Sequence, residues 1–216
     1  MKFVVSFSSG KDCMLSLHRM VQEGHEPVAL LVTYNPKDKA SWFHGTDPVL
    51  LADIAESLNI PLMLCETEGD NYNEDFENKL RECMALGAEA CVYGDIDIDE
   101  HLQWNSDRTD HVGMKAIMPL WHGDRLSLVH EVIGLGYKCI IKCVRPGMLP
   151  DSFLGKTLSE EVLKEMEPYG VDPCGEYGEY HTVVVDGPLF SHPVPYTLGD
   201  ILFLEYSHAI EINPVK

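Results

Sequence analysis

The chain has 216 residues, is 45% hydrophobic and carries a formal net charge of −19. A chain of this size buries roughly 70% of its unfolded surface without disulfides or metal, which excludes a disordered segment and fits one ordinary domain or two small ones. The negative charge repels phosphate backbones and anionic bilayers, so nucleic acid and membrane surfaces are not expected partners.

Taken in order, the chain alternates strands and helices. Residues 2–7 read as a short buried strand, which Ser8-Ser9-Gly10 ends. A helix follows with Met14, Leu17 and Val21 on one face and Gly24 as its stop. Residues 27–34 form a second apolar strand. Asp47-Pro48 predicts a helix start, since Asp caps free amides and Pro suits the first helical position. Leu50, Leu51, Ile54 and Leu58 give that helix its apolar stripe. A third strand is expected over 61–65, a helix over 72–86 and a fourth strand over 90–93, ending at Gly94-Asp95. Strands at Lys115–Met118 and Tyr137–Val144 flank a helix over Leu126–Leu135. This alternation is the pattern of an α/β fold with a parallel sheet covered on both faces. After Arg145-Pro146-Gly147 the texture changes. Thr157-Leu158-Ser159-Glu160 reads as a capping box, and short strands are expected near 182–185 and 201–206. The expected division is residues 1–122 as a Rossmann-like nucleotide-binding domain and 123–216 as a smaller α+β domain that completes the active site.

Seven cysteines occur, an odd number with no C-x-x-C pair. They read as free buried thiols of a reducing compartment rather than a zinc site. The opening apolar run is short for a signal peptide, and no stretch of about 18 apolar residues appears, so a soluble cytoplasmic protein is expected.

The most informative segment is Ser8-Ser9-Gly10-Lys11-Asp12-Cys13, between the first strand and the first helix. Such a junction gathers unpaired amides and the positive end of a helix dipole. Gly10 allows close backbone approach, Ser8 and Ser9 add hydroxyls, and Lys11 adds a full charge, so a polyphosphate is the expected occupant. It is not a Walker A loop, because Val5 stands where that motif needs glycine. The pattern S-x-G-K-D-[SC] resembles the PP-loop of N-type ATP pyrophosphatases, which cleave ATP between its α and β phosphates.

Ligands of open parallel sheets sit beyond the C-terminal strand ends, where Gly94 and Asp95 stand. Asp95 is a candidate for Mg²⁺ or a ribose hydroxyl, whereas Asp97, Asp99 and Glu100 read as a solvated acidic loop. Trp42 and Phe43 suit either a ring-shaped ligand or plain packing, and His44 reads as a loop histidine with its hydrogen bonds satisfied. Between Cys174 and Thr182 two carboxylates and an imidazole lie among glycines. Glu179 and His181, two apart in extended backbone, would point the same way and could bind Mg²⁺ or take a proton from an amine. A Gly-rich turn with exposed charges is the alternative reading of that segment.

Across essentially its whole length the chain resembles the diphthine–ammonia ligase family. The matching pieces are Ser8 to Cys13, Ser41 to Gly45, Tyr93-Gly94-Asp95-Ile96, Met118-Pro119-Leu120-Trp121, Phe153-Leu154-Gly155, Cys174 to Thr182 and Asp186-Gly187-Pro188-Leu189-Phe190. The resemblance implies an adenine-nucleotide-binding α/β domain and a smaller C-terminal domain. It also implies a reaction in which ATP adenylates a carboxylate and ammonia then displaces AMP. It implies ATP and Mg²⁺ as cofactors, and a carboxylate acceptor, small molecule or protein, and ammonia as partners; a homodimer is compatible. On this reading Lys11, Glu176, Glu179 and His181 are catalytic, Ser8 to Cys13 with Gly94 and Asp95 hold the nucleotide, and Asp12 and Asp95 are the metal ligands. One departure stands out. Members that act on diphthine carry a glutamate where this chain has His181 and a glycine where it has Tyr177. That resembles the bacterial-type branch found in organisms without diphthamide, for which a role in cobalamin-precursor salvage has been suggested. Two other readings stay open: a PP-loop ATPase of tRNA sulfur transfer, which the missing C-x-x-C and the charge disfavour, and a non-catalytic nucleotide-binding protein, which Lys11, Asp12 and the two glutamates disfavour.

Overall fold

A computed structural model describes residues 1–42 and 44–215. Strand β1 (Lys2–Ser6) places Phe3, Val4 and Val5 fully out of water on both faces, which only a covered central strand can do. It pairs in parallel with β2 (Glu26–Asn35) on one side and β5 (Ala90–Val92) on the other. Beyond β2 lies β4 (Leu62–Glu66), and beyond β5 lies β6 (Lys115–Ile117), both parallel. The two-residue β3 (Ala40–Ser41) folds back antiparallel on the end of β2. The parallel order β4-β2-β1-β5-β6 reverses direction at β1, and the crevice between β1 and β5 is where such sheets take ligands.

Helices α1 (Lys11–Gln22) and α2 (Pro48–Leu58) cover one face through Met14, Leu15, Leu17, Leu50, Leu51 and Ile54. Helices α3 (Tyr72–Ala85) and α4 (Asp99–Val112) cover the other, where Phe76, Leu80 and Cys83 pack on Val4, Leu31 and Cys91. Each fully buried side chain of this size contributes roughly 1.5–3 kcal/mol. Asp47 caps α2 as expected, accepting from the amides of Val49 at 2.7 Å and Leu50 at 3.4 Å. Of the residues expected as a solvated acidic loop, Asp97 lies on a loop but is paired with Arg125, and the other two begin α4. Asp99 and Glu100 occupy its first turn, where negative charge complements the helix dipole.

The second sheet is antiparallel, in the order β8 (Tyr180–Asp186), β7 (Lys138–Val144), β10 (His208–Pro214), β9 (Tyr196–Phe203). Helix α5 (Arg125–Gly134) precedes it, capped by Asp124. The short α6 (Glu160–Met166) is capped by Ser159, which accepts from the Val162 amide; Thr157 is not the cap. One continuous core joins the two sheets, from Phe3 and Val5 through Ile140 and Val184 to Ile212. The α/β class with a parallel sheet and a smaller α+β part is therefore the observed fold. All seven cysteines are buried and unpaired.

Candidate active site

The turn after β1 is shaped by Ser9, not Gly10. Ser9 takes the left-handed conformation at φ 68°, whereas Gly10 is extended and serves as the cap position of α1. The glycine answers a different demand. A Cβ there would lie 2.5 Å from His44 Cε1, so Gly10 is what lets that imidazole approach the loop. At the neighbouring strand, a Cβ on Gly94 would stand 2.7 Å from the Cys13 amide nitrogen. Gly94 therefore lets the end of β5 touch the N-terminus of α1.

These elements surround a cavity of about 460 Å³ at the switch point, within the roughly 300–1,000 Å³ of small-molecule sites. Ser8, Lys11, Asp12 and Cys13 line it from the loop, and Gly94 and Asp95 from β5. Glu176, Tyr180, His181 and Thr182 line it from the C-terminal part. The loop and the glycine–glutamate segment thus face one space. Direct bonds hold them together: the Lys11 amide donates to Thr182 Oγ1 at 3.1 Å, and the Val184 amide donates to the Ser9 carbonyl at 2.8 Å.

Lys11 is almost wholly buried, and its Nζ donates to Asp12 Oδ2 at 2.7 Å and to the Cys174 carbonyl. Burial works against its charge, but Asp12, Tyr180 and Cys174 together outweigh it and hold the ammonium above its ordinary range. Cys13 is the opposite case: burial pushes its thiol up to about 11, so it is a neutral packing group. Asp95 is held on both oxygens, by His101 Nδ1 at 2.9 Å and Asn105 Nδ2 at 2.7 Å. Glu176 is pushed up to about 7, first by burial and then by the nearby charges of Asp12 and Asp95, with Lys11 and Arg125 opposing. His181 is brought down to about 4 by burial and Lys11. His44 lies well below its ordinary value through burial and the facing His181, whose ring centroid is 4.8 Å away. Its Nδ1 donates to the Thr182 carbonyl at 2.9 Å, so the expectation of a satisfied histidine holds, yet it also lines the cavity.

Three expected site residues stand elsewhere. Ser9 is fully buried with its hydroxyl on Thr46 Oγ1 at 3.0 Å, and neither Ser9 nor Gly10 lines the cavity. Glu179 does not point with His181. Its carboxylate accepts from the backbone amides of Asp172 at 3.2 Å and Tyr177 at 3.0 Å, where it orders the segment that carries Glu176. Trp42 is turned to the Thr67 carbonyl and the edge of Tyr72; Phe43 lies outside the described residues. Conversely, Tyr72, Phe76 and Trp104 give the cavity an aromatic end that sequence reading missed. They come from α3 and α4, and nothing local marks a helical aromatic as cavity-lining rather than core.

Comparison with known proteins shows the family of the chain. The diphthamide synthase N-terminal domain matches residues 1–116, and the diphthamide synthase C-terminal domain matches residues 124–201. The chain belongs to the diphthamide synthase family. It is 30% identical to the zebrafish (Danio rerio) diphthine–ammonia ligase over 90% of this chain and 86% of that one. It is 26% identical to the human protein of that name, over 90% and 82%. The Schizosaccharomyces pombe relative is 25% identical over 99% of this chain, which spans 40% of that longer protein. Among solved structures, a predicted subunit of tRNA methyltransferase from Methanocaldococcus jannaschii aligns with a TM-score of 0.46 and 15% identity, over 87% of this chain and 98% of that one. That likeness is too weak to bear on function. As a member of the diphthamide synthase family, the chain is an ATP-dependent ligase that forms carbon–nitrogen bonds. No helix among the described residues is long and apolar enough to cross a membrane.

Proposed function

We propose that the chain binds ATP with its phosphates on Lys11 and the N-terminus of α1, adenylates a carboxylate, and transfers ammonia to the acyl carbon. The observation that carries this reading is the single cavity closed by the phosphate loop and the Glu176 segment, with the Lys11 ammonium between them. In the first step a carboxylate oxygen attacks the α-phosphorus and the bond to the β-phosphate oxygen breaks. Lys11 and the first-turn amides sit where the charge of departing pyrophosphate develops. In the second step ammonia adds to the acyl carbon, AMP leaves, and the proton released from nitrogen goes to Glu176. A carboxylate raised to about 7 is suited to that role at neutral pH. His181 and His44, held neutral, line the same wall and offer lone pairs or N–H groups without repelling an amine.

The donor set suits Mg²⁺. Carboxylates of Asp12 and Asp95 reach the cavity as hard oxygen donors, and their charges are felt by Glu176. Among the described residues no group of three His, Cys, Asp or Glu could hold a metal ion alone. Asp12 and Asp95 would therefore share the ion with ATP phosphates, and its chemistry would be to neutralise charge on the leaving pyrophosphate. In the domain division that goes with this reading, residues 1–122 hold the nucleotide and 123–216 complete the site. The acceptor is a carboxylate, with diphthine the first to test because the relatives are named for it. The test is pyrophosphate release in the presence of ATP, Mg²⁺, ammonium and a panel of carboxylates. Release that depends on the acceptor is expected. Tight ATP binding with no turnover for any acceptor would overturn the reading.

A further inference from the structure

Arg125 is the first residue of α5 and does not itself line the cavity, yet it touches the segments that carry both of its walls. Its Nε and Nη2 donate to the two oxygens of Asp97 at 3.0 and 2.5 Å. Its Nη1 is paired with Asp172, and its Cζ lies 4.7 Å from the centre of the Tyr177 ring. Its carbonyl accepts from the Cys174 thiol at 3.1 Å. Asp97 stands two residues beyond Asp95 on the loop leaving β5. Asp172, Cys174 and Tyr177 belong to the segment that carries Glu176. That segment contains no helix or strand between Gly170 and Tyr180, and besides the turn bonds of Gly175 and Gly178 it is held by side-chain contacts. The Arg125 side chain is 17% exposed and that of Asp172 is 5%, which shields the pair from water. A planar guanidinium can hold two carboxylates and stack on a ring at once; an ammonium cannot.

We propose that Arg125 is a positioning residue of the ligase: it ties the loop of Asp95 to the segment of Glu176 and so sets their spacing across the cavity. This rests on the reading of Glu176 as the proton acceptor. Arg125 makes no direct contact with the phosphate-binding turn, whose Lys11 ammonium reaches the same segment only at the Cys174 carbonyl. Losing Arg125 lets Glu176 drift, while the bonds of the Lys11 amide to Thr182 and of the Val184 amide to the Ser9 carbonyl still hold the phosphate turn, and a misplacement of about 1 Å costs about 100-fold in rate.

The experiment compares wild type with Arg125→Met, Arg125→Lys and Asp97→Asn in two assays. One is steady-state turnover together with calorimetric ATP binding. The other is backbone hydrogen exchange of the nucleotide-free protein. In Arg125→Met, kcat should fall about 10- to 100-fold while the ATP Kd changes less than about threefold. Exchange should speed up over residues 172–177 and 96–98 and stay unchanged over β1 and β5. Arg125→Lys should recover little of this, and adding Asp97→Asn to Arg125→Met should add little further loss. Wild-type kcat and exchange in Arg125→Met would overturn the proposal. So would a loss spread evenly over ATP affinity, exchange in all elements and melting temperature, which would mark Arg125 as a general stabiliser. If the wild type turns over no acceptor, the reading of the reaction fails, and the exchange pattern alone still decides whether Arg125 orders the segment.

Discussion

Lys11 is the residue on which the proposed first step depends, because it is a buried cation with one carboxylate and one carbonyl as partners and a cavity beside them. Lys11→Ala should lower kcat by about 100- to 1,000-fold, the scale of losing one charge-stabilising donor. Circular dichroism should show the fold retained, and activity equal to wild type would remove the loop from the chemistry. Glu176 makes a second prediction with a definite sign. A base acts only when deprotonated, so kcat should rise with pH through about 7 and level off above it. Bound polyphosphate would move that limb upward, and Mg²⁺ on Asp12 and Asp95 would move it downward. Glu176→Gln should remove the limb as well as most of the rate; a pH profile unchanged in that variant would assign the proton transfer elsewhere. For Glu179 the expected readout is stability, since its oxygens serve two backbone amides. Glu179→Gln replaces one acceptor with a donor facing a donor and should cost about 1–3 kcal/mol in denaturant unfolding.

Among the elements, β5 and α1 meet where Gly94 leaves no room for a side chain. Gly94→Ala must push the strand end from the helix N-terminus. Overpacking costs about 1–3 kcal/mol, and here it should appear as a roughly tenfold or greater loss of ATP affinity by calorimetry. The elements that sequence reading found are those with a strong local signal: the apolar run of β1, the Asp47-Pro48 start of α2 and the stripe of Phe76, Leu80 and Cys83 on α3. Helix α4 was missed because Asn105 and Thr109 are its buried positions and its apolar periodicity is weak. The same limit explains the site. Lys11 and Glu176 sit in short dense motifs, whereas Arg125 gains its meaning only from Asp97 and Asp172, which tertiary folding brings to it. Glu179 departs from the face of His181 because a two-residue spacing predicts a shared face only inside regular extended backbone, and Glu179 precedes β8 next to a Gly178 at φ 79°.

At the scale of the whole molecule, the site stores opposing titrations. His181 titrates near 4 when folded and near 6.5 when unfolded. The unfolded chain therefore binds more protons between those values, and stability falls as pH drops through that window, by about 3 kcal/mol. His44 acts in the same direction. Glu176, at about 7 folded against 4.5 unfolded, acts oppositely: the folded state binds more protons, and stability rises as pH falls toward 4.5. Two imidazoles oppose one carboxyl, so wild-type stability should fall on acidification from 6.5 to 4 and Glu176→Gln should fall more steeply; equal slopes in the two proteins would contradict this. The same arrangement, acids and neutral imidazoles held around one buried cation, is what the proposed ligase chemistry uses. The most direct test of that claim is the fate of ATP labelled on its α-phosphate, incubated with Mg²⁺, ammonium and an acceptor carboxylate. The account predicts labelled AMP, formed one for one with pyrophosphate and amide. Labelled ADP accompanied by orthophosphate would contradict it.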